Sequence, residues 1–271
     1  MKGSFLTSTL LQVVCLLLVF GQAAKAEVPF DPPGAYSSSW MAEIEIKRYT
    51  GANPLFRHGA VQVADDRCHF AYADGTPFFW MGDTWWMGVA KRLTWPADLQ
   101  ELVNNRCDKG FTVIQLVAGL YPDMPAFDER GLGDGGHPWE KIYANIRSEY
   151  FDAADHRVQY LVEQSLTPCI LGCWGYHLPW LGTEKMKQHW RYLIARWGAL
   201  PVVWCVSGEQ AMPWYNSGNK EAETHQLCRE WTEVTRSIRA TDPFHRLITT
   251  HPRSNARVEI LDATLLDFEM Q

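Results

Sequence analysis

The chain has 271 residues, 46% of them hydrophobic, with 25 Lys and Arg against 31 Asp and Glu for a formal net charge of -6. That length fits one large domain with ample apolar content for a core. The acidic balance has the wrong sign for a nucleic-acid or anionic-membrane binder.

Lys2 precedes the apolar run from Leu10 to Phe20, and small residues then lead to Ala24-Lys25-Ala26. This is the form of a signal peptide, residues 1-26, cleaved after Ala26. The run is roughly half the ~20 apolar residues that span a bilayer, so a secreted or periplasmic protein with no membrane attachment after cleavage is expected. Cys15 lies inside the run, which argues against a lipid-modified N-terminal cysteine.

Residues 27-57 read as a leader followed by an N-terminal strand. Pro, Gly and Ser dominate Glu27 to Ser39, and Ala42, Ile44 and Ile46 then alternate with Glu43, Glu45 and Lys47. The stretch Val61 to Tyr72, with Asp74-Gly75 behind it, predicts a short β-hairpin region.

From Pro77 onward strand-like and helix-like runs alternate, as when parallel strands are joined by helical crossovers. Six strands are predicted: Pro77 to Asp83, Phe111 to Val117, Thr167 to Cys173, Pro201 to Gly208, Arg246 to Thr250 and Leu265 to Gln271. Between them Leu99, Leu102, Val103 and Cys107 keep helical spacing, as do Met186, Trp190, Leu193 and Trp197, and Leu227, Trp231, Val234 and Ile238. Thr94 with Pro96, and Thr183, mark helix starts; Gly110 and Gly198 mark stops. A complete eight-unit barrel takes ~250 residues, and six units fill 77-271. The expected fold is therefore α/β, a (β/α)8 TIM-type barrel over 58-271 that is truncated before its seventh strand. An open doubly wound sheet fits less well, because the first strand ends in Gly82-Asp83-Thr84-Trp85-Trp86 without a glycine-rich phosphate loop. Cys169, Cys173 and Cys205 lie in apolar runs and read as small core residues; no metal, nucleotide or flavin signature is present, so no cofactor and no metal are expected.

Barrel active sites form where the strands end. Glycosidic cleavage needs a protonated carboxyl beside the leaving oxygen and a second carboxylate. Glu209 follows the run Val202 to Val206 and lies among Trp204, Trp214 and Tyr215, apolar surroundings that favour the neutral acid, so it is the candidate general acid. At the other strand ends Asp83, Gln115, His177, His251, Glu269 and Gln271 are candidate hydrogen-bonding groups for a substrate. Asp267, Glu269 and Gln271 alternate with Leu266, Phe268 and Met270, and the polar face is expected to point into the barrel mouth. Glu269 is then the first internal candidate for the second carboxylate and Asp83 the second. Trp190, Trp197 and Trp231 fall on apolar helix faces and read as core. Trp85, Trp86, Trp174, Trp180 and Trp214 follow strand ends, where flat rings stack on sugars. The glycines of the Leu120 to Trp139 loop suggest either a supple lid or a disordered insertion.

These segments resemble the apiosidase-like glycoside hydrolases. The resemblance runs from about His58 to Gln271, carried by Phe78 to Trp86, Lys109 to Gln115, Tyr150 through Glu163, Trp204 to Glu209, Thr250-His251-Pro252 and Leu266 to Gln271. It implies a barrel enzyme acting on plant cell-wall and other polysaccharide side chains, with Glu209 at the fourth-strand acid/base position and the partner carboxylate after the seventh strand. The expected partner is an oligosaccharide or polysaccharide. The alternative is a non-catalytic exported glycan-binding protein.

Overall fold

The computed structural model describes residues 49-270. The signal peptide, the leader as far as residue 48 with its strand Ala42 to Lys47, and Gln271 lie outside the described residues.

A compact unit begins at Asn53. Asn53 caps the short helix α1 (Pro54–Arg57), its side chain accepting the Leu55 N–H, and Leu55 is buried. Three antiparallel strands follow, β1 (Val61–Val63), β2 (Phe70–Tyr72) and β3 (Pro77–Phe78). The predicted turn sits between the last two. Gly75 adopts φ 84, a conformation glycine reaches without steric cost, and its N–H bonds Tyr72 O.

Five parallel strands then pair in sequence order: β4 (Gly82–Trp85), β5 (Val113–Val117), β6 (Thr167–Leu171), β7 (Val203–Gly208) and β8 (Ile248–His251). Helices α2 (Ala97–Asp108), α3 (Ser148–Glu163), α5 (Thr183–Trp197) and α6 (Lys220–Thr241) are the crossovers, with the one-turn helix α4 (Leu178–Leu181) ahead of α5. The strands β5, β6 and β7 are buried along their whole length, as doubly covered strands must be. On the outer face Trp204 packs edge-on to Trp190 at 5.7 Å and donates its indole N–H to Asp242 at 3.0 Å. Burying each such ring contributes roughly 4–6 kcal/mol of transfer free energy. On the inner face Gln115 of β5 reaches Cys205 of β7 at 3.7 Å, across the intervening β6. Flat strands two apart would be separated by about 9.5 Å, so this contact reflects the inward curl of a partial barrel.

Two of the six predicted strands are corrected. The apolar run from Pro77 to Asp83 is not one strand. Pro77 and Phe78 pair with β2, the chain passes between sheets at Phe79 to Met81, and pairing with β5 resumes at Gly82. Met81 anchors the crossing, since its O accepts from Thr112 and Val113 and its N–H donates to the Thr112 hydroxyl.

As far as Met270, the predicted strand Leu265 to Gln271 is instead a short 3-10 turn, Ala263–Leu265, followed by chain that bends at Asp267 and Phe268 beside β8. The Asp267 N–H bonds Ile248 O at 2.9 Å, but the Asp267 carboxylate takes the Ile248 N–H at 2.7 Å, replacing a ladder bond with a side-chain bond. Its predicted polar face is also inverted. Phe268 packs on Phe70 and Trp80 at about 5 Å and Met270 contacts Gln115, so the apolar residues fill the inside of the curl. Asp267 and Glu269 face the helices, bonded to Arg239 and Arg257. The partners fit this facing: Arg239 and Arg257 pair the two carboxylates on the helix side, while the apolar residues are buried on the concave side.

Candidate active site

Four strand ends converge. Trp86 follows β4, Trp174 follows β6, Glu209 follows β7 and His251 closes β8. The Trp174 indole N–H donates to Glu209 Oε2 at 3.2 Å. Trp86 meets Trp174 edge-on at 5.2 Å and His251 at 5.1 Å, and Trp174 lies 5.9 Å from His251.

Local sequence explains how these groups come so close. The Trp174 ring lies directly over Gly208, where any Cβ would overlap it, and a Cβ on Gly175 would come within 2.7 Å of Glu209 O. Glycine at both positions lets the ends of β6 and β7 meet, joined by a bridge between Trp174 and Gly208. Glu209 has φ 45, a left-handed conformation that is uncommon for a residue with a side chain, and its N–H is held by His251 O at 2.6 Å. Such backbone strain costs on the order of 1–3 kcal/mol and concentrates at functional sites.

A second aromatic group borders this one. Tyr176, Trp180, Trp214 and Tyr215 contact one another with centroids 4.7 to 5.9 Å apart, Trp180 and Tyr215 being partly exposed. The Tyr215 hydroxyl donates to Asp123 at 2.6 Å, tying the loop after β5 to the loop after β7. Burial, the Asp123 bond and the nearby Glu209 all push the Tyr215 hydroxyl up. Burial lowers His251, against the raising effect of the Glu259 carboxylate.

The other predicted groups are placed elsewhere. Asp83 and Trp85 share the outer face of β4: the Asp83 carboxylate accepts from Arg106 of α2 at 2.5 Å and from the Trp85 indole at 2.7 Å, so both serve sheet-helix packing. Burial acts to raise Asp83, and the bonds from Trp85, Arg106 and Thr84 outweigh it, leaving the carboxyl below its ordinary range. His177 is fully buried with Nε2 donating to Tyr121 O at 2.9 Å, and burial lowers it to about 4. It is a core residue with no surface to offer a sugar. Gln115 lies inside the curl, its amide against the sulfurs of Met270, Cys205 and Cys169. Glu269 is engaged by Arg257, at 3.1 Å from Nε.

The predicted lid is instead a clamped loop. A Cβ on Gly135 would overlap the Glu149 carbonyl and one on Gly133 would strike Tyr150, so these glycines permit close packing. Tyr121 and Tyr150 share a 2.7 Å hydroxyl bond, and buried Arg157 holds Gly88 O, Leu93 O and Asp134.

Two features had no counterpart in the sequence reading, the Tyr215 to Asp123 link and Glu259, a buried carboxylate on the helix α7 (Ala256–Glu259) beside the Glu209 turn. Among the described residues no three His, Cys, Asp or Glu side chains converge in a metal-binding group.

A family profile described as the apiosidase-like catalytic domain matches residues 64–271. The chain is similar in structure to a glycoside hydrolase family 5 protein from Bacteroides vulgatus, at TM-score 0.57 and 20% identity over 83% of this chain and 46% of that one. It is also similar to a glycoside hydrolase family 5 mannosidase from Rhizomucor miehei, at TM-score 0.52 and 14% identity over 73% of this chain and 56% of that one. The chain thus spans about half the length of these structures, and at these identities the likeness is one of fold. Among curated proteins none matches the sequence.

Proposed function

The chain belongs to the apiosidase-like catalytic-domain family, and on that premise we propose that it is an exported glycoside hydrolase in which Glu209 protonates the leaving oxygen of a plant-type or other complex polysaccharide. The observation that carries this reading is the Trp174 to Glu209 bond at the meeting point of four strand ends. A carboxyl held by an indole N–H, with Trp86 and His251 beside it, has a fixed direction in which to deliver a proton. The partly exposed rings of Trp180 and Tyr215, with Trp214, supply flat surface for sugar faces. Trp86, Trp214 and His251, which are half-buried, are the proposed substrate contacts, whereas Trp174, 4% exposed, holds Glu209 and presents little surface of its own.

Cleavage also requires a second carboxylate as nucleophile or base. Glu269 is committed to Arg257 and Asp83 to Arg106, so neither is given that role. Export rests on the sequence of residues 1–26 and is checked by N-terminal sequencing of the secreted protein, which should begin at Glu27.

A second reading, a glycan-binding protein without turnover, rests on the same aromatic surface. Calorimetry with plant cell-wall oligosaccharides separates the two. Binding without product release, abolished by Trp214→Ala and untouched by Glu209→Gln, is the signature of the binder; release of sugar during the titration is that of the enzyme.

A further inference from the structure

Glu259 ends α7 and is 1% exposed. A buried carboxylate is costly unless its oxygens are matched by donors, and here they are. Its Oε2 accepts the Ala211 N–H at 3.2 Å, and its Oε1 accepts the Arg253 N–H at 3.0 Å and the Arg253 Nε–H at 3.3 Å. Its main-chain carbonyl accepts from the Gln210 amide at 2.9 Å. One residue therefore holds both residues that follow Glu209, and also the loop that follows His251.

That arrangement bears on the acid because of the backbone at Glu209. A left-handed residue persists only where its neighbours over-determine it. On one side the Trp174 ring lies over Gly208; on the other, Glu259 fixes Gln210 and Ala211. We propose that Glu259 is a positioning residue for Glu209, clamping the turn so that the Glu209 carboxylate stays on the Trp174 indole. The role presupposes the reading of Glu209 as the acid, while the clamp itself is observable without turnover.

The test follows the Trp174 indole N–H resonance in the full chain labelled with 15N-tryptophan, assigned by its loss in Trp174→Phe. Glu259→Gln keeps the size of the side chain but presents an NH2 where a backbone N–H must be accepted. The resonance should shift in this variant, and its pH titration should move. Ile194→Val, a conservative change in α5 well away from the turn, should leave both at the wild-type position.

Turnover of an aryl apioside should fall about 100-fold in kcat with KM little changed, the size of effect expected from a displacement near 1 Å. Glu259→Gln should add nothing in a Glu209→Gln background. A folded Glu259→Gln with wild-type Trp174 resonance and titration overturns the proposal. If that variant does not fold, Gln210→Met, which removes only the bond to the Glu259 carbonyl, is read on the same resonance; a shift supports the clamp and no shift overturns it. A chain that shows the shift but no turnover keeps the clamp and defeats the glycosidase reading, so the two failures are distinct.

Discussion

The Trp174 indole lies over the Gly208 backbone and donates its N–H to the carboxylate of the next residue, Glu209, at 3.2 Å. The ring is thus fixed by packing on one face and by a charge-directed bond at its edge. The direction of the Glu209 carboxylate therefore depends on a glycine with no chemistry of its own.

Gly208→Ala should displace that ring. Overpacking at a filled site costs about 1–3 kcal/mol, so a fall of several degrees in Tm is expected together with weaker oligosaccharide binding. Calorimetry and thermal melts on the same preparation check both. Unchanged affinity would mean that the position of this ring does not bear on sugar binding.

Asp83→Asn should behave differently, because Asp83 bonds Arg106 and Trp85 on the outer face of β4. The pair is partly exposed, so a loss of about 1–2 kcal/mol is expected in urea unfolding, with no change in substrate KM. A raised KM with unaltered stability would return Asp83 to the substrate site.

Two buried imidazoles make the fold acid-sensitive. Burial lowers His177 and His189 to about 4, each with Nε2 donating to a backbone carbonyl. An unfolded histidine titrates near 6.5, so between these values the unfolded chain binds more protons than the folded one. Stability from this source is fully present above about pH 6.5 and is lost as pH falls toward 4. Denaturant melts from pH 7 to 4 should show a loss on the order of a few kcal/mol, and His189→Gln should flatten the slope.

Much of this was legible in the sequence, for physical reasons that differ by element. Strands β5 to β7 are doubly buried, so they appear as unbroken apolar runs, and once a strand is located its last residues follow; Glu209 and Trp174 were reachable in that way. The break at Phe79 to Met81 was not, because Pro77 to Met81 is apolar whether it serves one sheet or two. Along Leu266 to Met270 the alternation was visible but its facing was not, since only the tertiary partners Phe70 and Arg257 decide which side is buried. Glu259 gave no signal at all. Its partners Gln210 and Ala211 lie 49 and 48 residues away, and no local pattern encodes that meeting.

Whether Glu209 is the proton donor of a glycosidase is decided by turnover of wild type and Glu209→Gln on a plant cell-wall polysaccharide, with release of reducing sugar as the readout. A carboxamide has no proton to give. The wild type should release sugar measurably and the variant should lose at least about 100-fold in kcat, with oligosaccharide affinity retained. Equal release by the two proteins would contradict that role, and so would glycan binding by the wild type with no release.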